Sequence, residues 1–243
     1  MTKAILIHGM LADRRVWREV VPALPHLEVS PLELPGHGQA PAWNGNDYQT
    51  QAYLMTETLC DEPVHLVGHS FGASVALRLA VERPELLLSL TLVDPVFFYA
   101  AKQAAPDLFA AYAARATPVL AAIAQGDVLR AAELFLGDWG VDGSWPMLPV
   151  AAREAIAAKM PLIGVTADSL AEDTGRIWPR LKNVKCPVLI VTGGKSDPVM
   201  PGVVRGLQQQ FSNCTSVQFE DAGHMIPVTH GKQLGQQIAA FTA

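Results

Sequence analysis

Val64-His65-Leu66-Val67-Gly68-His69-Ser70-Phe71-Gly72-Ala73-Ser74-Val75-Ala76-Leu77 is the stretch on which the reading of the fold turns. Residues 64–68 are a short apolar run of the kind buried as a strand, and residues 70–82 carry the apolar spacing of a helix. Only a tight turn joins the two. Gly68 and Gly72 bracket it, and glycine is the residue that lets one backbone pass close to another. Ser70 stands at the tip.

The same alternation continues outward. Residues 4–7 form a strand ending at His8-Gly9, and Asp13 can cap a helix carrying Val16, Trp17, Val20 and Val21. Residues 27–34 form a second strand, stopped by Pro35-Gly36-His37-Gly38, and a helix spans about 49–59. Downstream, strands at 88–93, 188–192 and 216–219 are separated or followed by helices at 203–210 and 231–241. Continuous apolar runs alternating with helices imply an α/β fold: a doubly wound, mostly parallel sheet of about six strands.

Residues 96–180 break the pattern. They hold no convincing strand, are rich in Ala, Leu and aromatics, and are interrupted by Pro106, Pro118, Gly137, Gly143, Pro146, Pro149 and Pro161. They read as a helical cap inserted between the fourth and fifth strands, with a final helix at about 168–181 returning to the sheet. The sheet-bearing core is then 1–95 with 181–243. A cap there covers the carboxyl ends of the strands, where open parallel sheets bind ligands.

Composition narrows the function. Half of the 243 residues are hydrophobic, and the charged share is 17% against roughly 25% for an average soluble domain. The charge balance of 18 − 23 = −5 offers no basic face for nucleic acid or anionic lipid. Three widely spaced cysteines, Cys60, Cys186 and Cys214, make neither a disulfide framework nor a zinc site. No apolar run reaches the roughly 18 residues of a membrane span, and residues 4–7 are too short for a signal segment. A soluble cytoplasmic protein with no metal or cofactor is the expectation.

Gly68-His69-Ser70-Phe71-Gly72 has the form G-x-S-x-G between a strand and a helix, the setting in which a serine serves as nucleophile. A hydroxyl needs a base, and the base needs an orienting acid. Of seven histidines, His224 in Asp221-Ala222-Gly223-His224-Met225 follows the last strand and is the candidate base. His69 points away from the tip as a packed neighbour, His65 is hydrogen-bonded within a strand, His37 belongs to a surface or pocket rim, and His26 and His230 are loop residues. The acid is expected after the fifth strand, at Asp197 in Gly193-Gly194-Lys195-Ser196-Asp197-Pro198; Asp94, at the end of the fourth strand, competes with it. Backbone N–H groups of Met10 and Phe71 are candidates for an oxyanion hole. His69, Phe97, Phe98 and Met225 are candidates to line the substrate pocket.

Together His8-Gly9, Leu34-Pro35-Gly36-His37-Gly38, Gly68 to Gly72, Asp197 and Gly223-His224 resemble the α/β-hydrolase superfamily over nearly the whole chain outside 96–180. The chain departs from that pattern in starting directly at the oxyanion strand and in carrying Met10 where the glycine-rich lipase type has a glycine run. Serine at position 70 differs from the aspartate of the dehalogenase and epoxide-hydrolase branches. The resemblance implies a carboxylesterase acting on a small-molecule ester with small or medium acyl groups. C–C bond hydrolysis, lactonase or thioesterase chemistry could use the same residues, and a non-catalytic ligand-binding module is the alternative of another class.

Overall fold

The computed structural model describes residues 1–141 and 143–243. The chain runs β1 (Thr2–Ile7), β2 (Leu27–Leu32), α1 (Tyr48–Glu57), β3 (Val64–His69), α2 (Phe71–Glu82), β4 (Leu87–Val93), α3 (Tyr99–Ala104), α4 (Pro106–Ala124), α5 (Val128–Trp139), α6 (Val150–Ala157), α7 (Met160–Ala171), β5 (Val188–Gly193), α8 (Met200–Gln210), β6 (Cys214–Phe219), α9 (Ile226–Thr229) and α10 (Gly231–Phe241). The six strands form one sheet in the order β2-β1-β3-β4-β5-β6. Every pairing is parallel.

Strand alternation sorts the core into two layers. Ile5, Ile7, Leu66, Leu90, Leu92 and Ile190 face one side, with residues of α1, α2, α3 and α8. Ala4, Leu6, Val67, Val93, Leu189 and Val191 face the other, with Ile226 of α9 and Leu234 and Ile238 of α10. Apolar residues on successive strand positions therefore mean burial on both faces, as the sequence pattern implies.

Two helix expectations fail for local reasons. The segment after Asp13 is a pair of 3-10 turns, Arg14–Trp17 and Val21–Ala23, because Pro22 lacks the N–H that a continuing helix needs. Its apolar residues Trp17 and Val20 are still buried. The helix expected over 168–181 is instead the end of α7, followed by a 3-10 segment Trp178–Asn183. Asp173 and Arg176 there have φ of 52° and 51°, and Asp173 accepts hydrogen bonds from the N–H groups of Ile177 and Trp178.

Within the insertion, α3 packs on α8 so closely that a methyl group at Gly206 would overlap the Ala100 carbonyl. Helices α4 to α7 stand beyond it and have a small core of their own around Val119, Ala131, Ala132 and Met160. Helix α4, 19 residues long, is long and apolar enough by length and composition to cross a membrane. It does not read as an unbroken apolar run because alanines, Asp107 and Arg115 dilute its larger apolar residues.

Candidate active site

β3 and β4 are paired in register with His69 opposite Val93, so the next residues, Ser70 and Asp94, leave the sheet side by side. Both have left-handed backbones, with φ of 55° and 44°. Such conformations cost on the order of 1–3 kcal/mol each and persist only where the surroundings hold them. Ser70 is held by its N–H donating to the Val93 carbonyl at 2.9 Å and by two contacts that only glycine allows. A methyl group at Gly68 would overlap the Gly72 carbonyl, and one at Gly72 would overlap the Ile7 carbonyl. Asp94 is held by its N–H donating to the Val191 carbonyl at 2.7 Å.

His224 reaches this pair from the loop after β6. Its Nε2 lies 2.9 Å from Ser70 Oγ and its Nδ1 2.6 Å from Asp94 Oδ2. The carboxylate accepts a hydrogen bond from Nδ1–H, which leaves Nε2 to accept from the serine hydroxyl. Asp94 is fully buried, yet its oxygens are satisfied: Gly193 N–H donates to Oδ1 at 3.2 Å and Ser196 Oγ donates to Oδ2 at 2.9 Å. The arrangement can move a proton from Ser70 to His224 while a fixed negative charge steadies the imidazolium.

Asp197 does not take this place. The turn after β5 leans toward β6, with Gly194 N–H donating to Phe219 O and Lys195 N–H to Ala222 O. Asp197 then lands at the start of α8, where it accepts from Val199 N–H at 2.8 Å. Arg115 of α4 grips both its oxygens through Nη2 at 2.6 and 2.9 Å. Asp94 wins because parallel register sets it beside the serine, whereas Asp197 lies a strand further away. That register was the available signal.

The loop after β1 is tied down by two histidines. His8 Nδ1 donates to Gly9 O at 2.7 Å, while its Nε2 accepts from Leu34 N–H. His37 Nδ1 donates to Pro35 O, and its Nε2 accepts from Leu11 N–H at 3.0 Å. Burial pushes His37 down to about 4 and lowers His8 as well, so both stay neutral with these tautomers. His37 is thus a buried prop, not a surface or rim residue. Between these anchors Met10 N–H has no partner among the described residues, and neither does Phe71 N–H at the start of α2. Gly9 allows the approach: a methyl there would come within 2.8 Å of Ser70 Cβ.

Ser70, Met10 and Phe71 open into a cleft of about 710 Å³, mouth included, whose far walls come from the inserted helices α4, α5 and α7. Phe98, Tyr112, Val119, Phe135, Trp139 and Leu170 make it apolar, and Arg115 and Asp138 add charge. Burial raises the Tyr112 phenol and the Asp138 carboxyl. Of the expected lining residues only Phe98 faces this cleft. Phe97 is turned into the main core, Met225 faces a separate hollow with Leu11 and Asp13, and His69 is fully buried, its Nε2 donating to the His224 carbonyl at 2.9 Å. Tyr112 and Trp139 were missed as site residues. The aromatic richness of the insertion signals such a wall, but the helix phase that selects its members is set by packing.

Comparison with known proteins identifies the family to which this fold belongs. Residues 4–236 match the model of the alpha/beta hydrolase family. The chain is 29% identical over 240 residues to a pimeloyl-[acyl-carrier protein] methyl ester esterase of Neisseria meningitidis, covering 95% of this chain and 89% of that one. It is 33% identical over 96 residues to lipase LipV of Mycobacterium tuberculosis, a match of 38% of this chain and 37% of the lipase. Its fold is shared with the enol-lactonase from Burkholderia xenovorans at a TM-score of 0.75 and 19% identity, covering 99% of this chain and 90% of that one. The chain belongs to the alpha/beta hydrolase family, and it is a hydrolase.

Proposed function

We propose that the chain is a serine hydrolase that cleaves carboxylic esters of small or medium apolar acids, with Ser70 as nucleophile, His224 as base and Asp94 as the orienting acid. The observation that carries this reading is the unbroken relay from Ser70 Oγ through His224 to Asp94, at 2.9 and 2.6 Å, opening on an apolar cleft. Ser70 Oγ attacks the ester carbonyl carbon as its proton passes to His224 Nε2. The carbonyl oxygen becomes negative and accepts from Met10 and Phe71 N–H. The tetrahedral adduct then expels the alcohol, which takes the proton from His224. Water attacks the acyl-enzyme with His224 again as base, and collapse frees the acid and restores the serine hydroxyl.

The cap's apolar wall supports an aliphatic or aromatic acyl group. The partner is accordingly a small-molecule ester, and the enzyme acts in the cytoplasm. The test is a panel of p-nitrophenyl esters, lactones and thioesters assayed with wild type and Ser70→Ala. Esters are expected to be turned over best, and Ser70→Ala is expected to lower kcat by about 10⁴-fold or more. Retention of more than about a tenth of wild-type activity by that variant would remove Ser70 from the role.

A further inference from the structure

The two hydrogen bonds of His224 fix where its nitrogens point, and two further aromatic rings pack against its imidazole. On the core side lies the His69 ring, with centroids 4.9 Å apart and planes inclined at 38°. On the cap side lies the Trp139 indole, with centroids 4.8 Å apart at 79°. Trp139 ends α5 and is itself packed against Phe98 at 5.7 Å and Tyr112 at 6.3 Å, which stack on each other at 3.9 Å. His69 also holds the backbone of the base, since its Nε2–H and the N–H of Ile226 both donate to the His224 carbonyl at 2.9 Å.

We propose that Trp139 and His69 are positioning residues for His224, a clamp with one jaw on the cap and one on the core, so that the base is aligned on Ser70 only while the cap is seated. This rests on the reading of Ser70, His224 and Asp94 as the catalytic relay. The groups around the imidazole fit the role. Asp94 faces it from β4, Ser70 from the turn after β3, and Ser196 from the loop after β5 through Asp94. On the cap side, Tyr112, Arg115 and Asp138 share the cleft with Trp139, and Asp197 is bound to Arg115. His69 adds no competing charge: burial and the neighbouring His224 push it down to about 3. Its neutral ring can therefore stay against an imidazolium throughout the reaction.

The test measures kcat and KM for Trp139→Leu, Trp139→Phe, His69→Leu and His69→Gln on p-nitrophenyl acetate. That ester has the shortest acyl chain in the panel and depends least on the cleft wall. Misplacing a base by about 1 Å costs roughly 100-fold. Trp139→Leu and His69→Leu are therefore expected to lose about 10- to 100-fold in kcat with KM within about threefold. Trp139→Phe should lie between Trp139→Leu and wild type. His69→Gln, whose amide nitrogen can replace Nε2–H, should recover to within about threefold of wild type.

Unchanged kcat with only KM raised would make Trp139 a cleft wall and overturn the clamp. Should Trp139→Leu lack a cooperative melt, Trp139→Phe and the His69 pair decide by the same criteria. A wild type inert toward every ester overturns the functional reading itself, whereas an active wild type with indifferent variants overturns only the clamp.

Discussion

Ser70 and Asp94 occupy left-handed backbone positions that neither residue type favours, at adjacent strand ends. Both side chains are aimed by that geometry toward the one histidine that bridges them. The serine was legible from its two flanking glycines and the strand-to-helix switch, and His224 from its place after the last strand. The acid was not, because Asp94 and Asp197 both follow apolar strands and no local pattern reports which will face the base. Replacing Asp94 by Asn should lower kcat by about 10³- to 10⁴-fold, since an amide cannot hold the same tautomer or steady the imidazolium. Asp197→Asn should cost less than about tenfold. Equal losses in the two variants, measured as kcat on a p-nitrophenyl ester, would contradict the placement of Asp94.

Elements show a parallel division. All six strands were readable to within two residues of their bounds: burial on both faces writes continuous apolar runs in the central strands, and the edge strands β2 and β6, more exposed, keep apolar positions among polar ones. The turns after Asp13 and the segment after α7 were not, because Pro22 and the left-handed residues Asp173 and Arg176 cut helices whose apolar spacing continues past the break. At this scale the Arg115–Asp197 pair matters most, since it ties the inserted helix α4 to the start of α8. Arg115 is partly exposed, which screens the pair, but the carboxylate it covers is only 4% exposed. Arg115→Ala is expected to destabilise by about 1–2 kcal/mol, a fall in Tm of roughly 2–8 °C for a chain of this size. A melting curve superimposable on that of wild type would show that the pair does not hold the cap.

The whole molecule carries a pH signature. His37 and His69, at about 4 and about 3, take up protons far more readily unfolded than folded. In the window between the ordinary histidine value of 6.5 and about 4 the unfolded chain binds more protons, so stability rises with pH there and falls on acidification. The unfolding free energy from urea titrations should decline from pH 6.5 to pH 4, by an amount on the order of a few kcal/mol. A flat profile would mean that these buried rings are not neutral props. The mild acidic excess of −5 reports on solubility and leaves the choice of ester to the cleft. The most direct measurement is mass spectrometry of the intact protein and its peptides after brief exposure to a fluorophosphonate. One adduct per chain is expected, on the peptide carrying Ser70, and it should vanish in His224→Ala. Labelling of another residue, or none on the folded wild type, would mean that the hydroxyl at this turn is not an activated nucleophile.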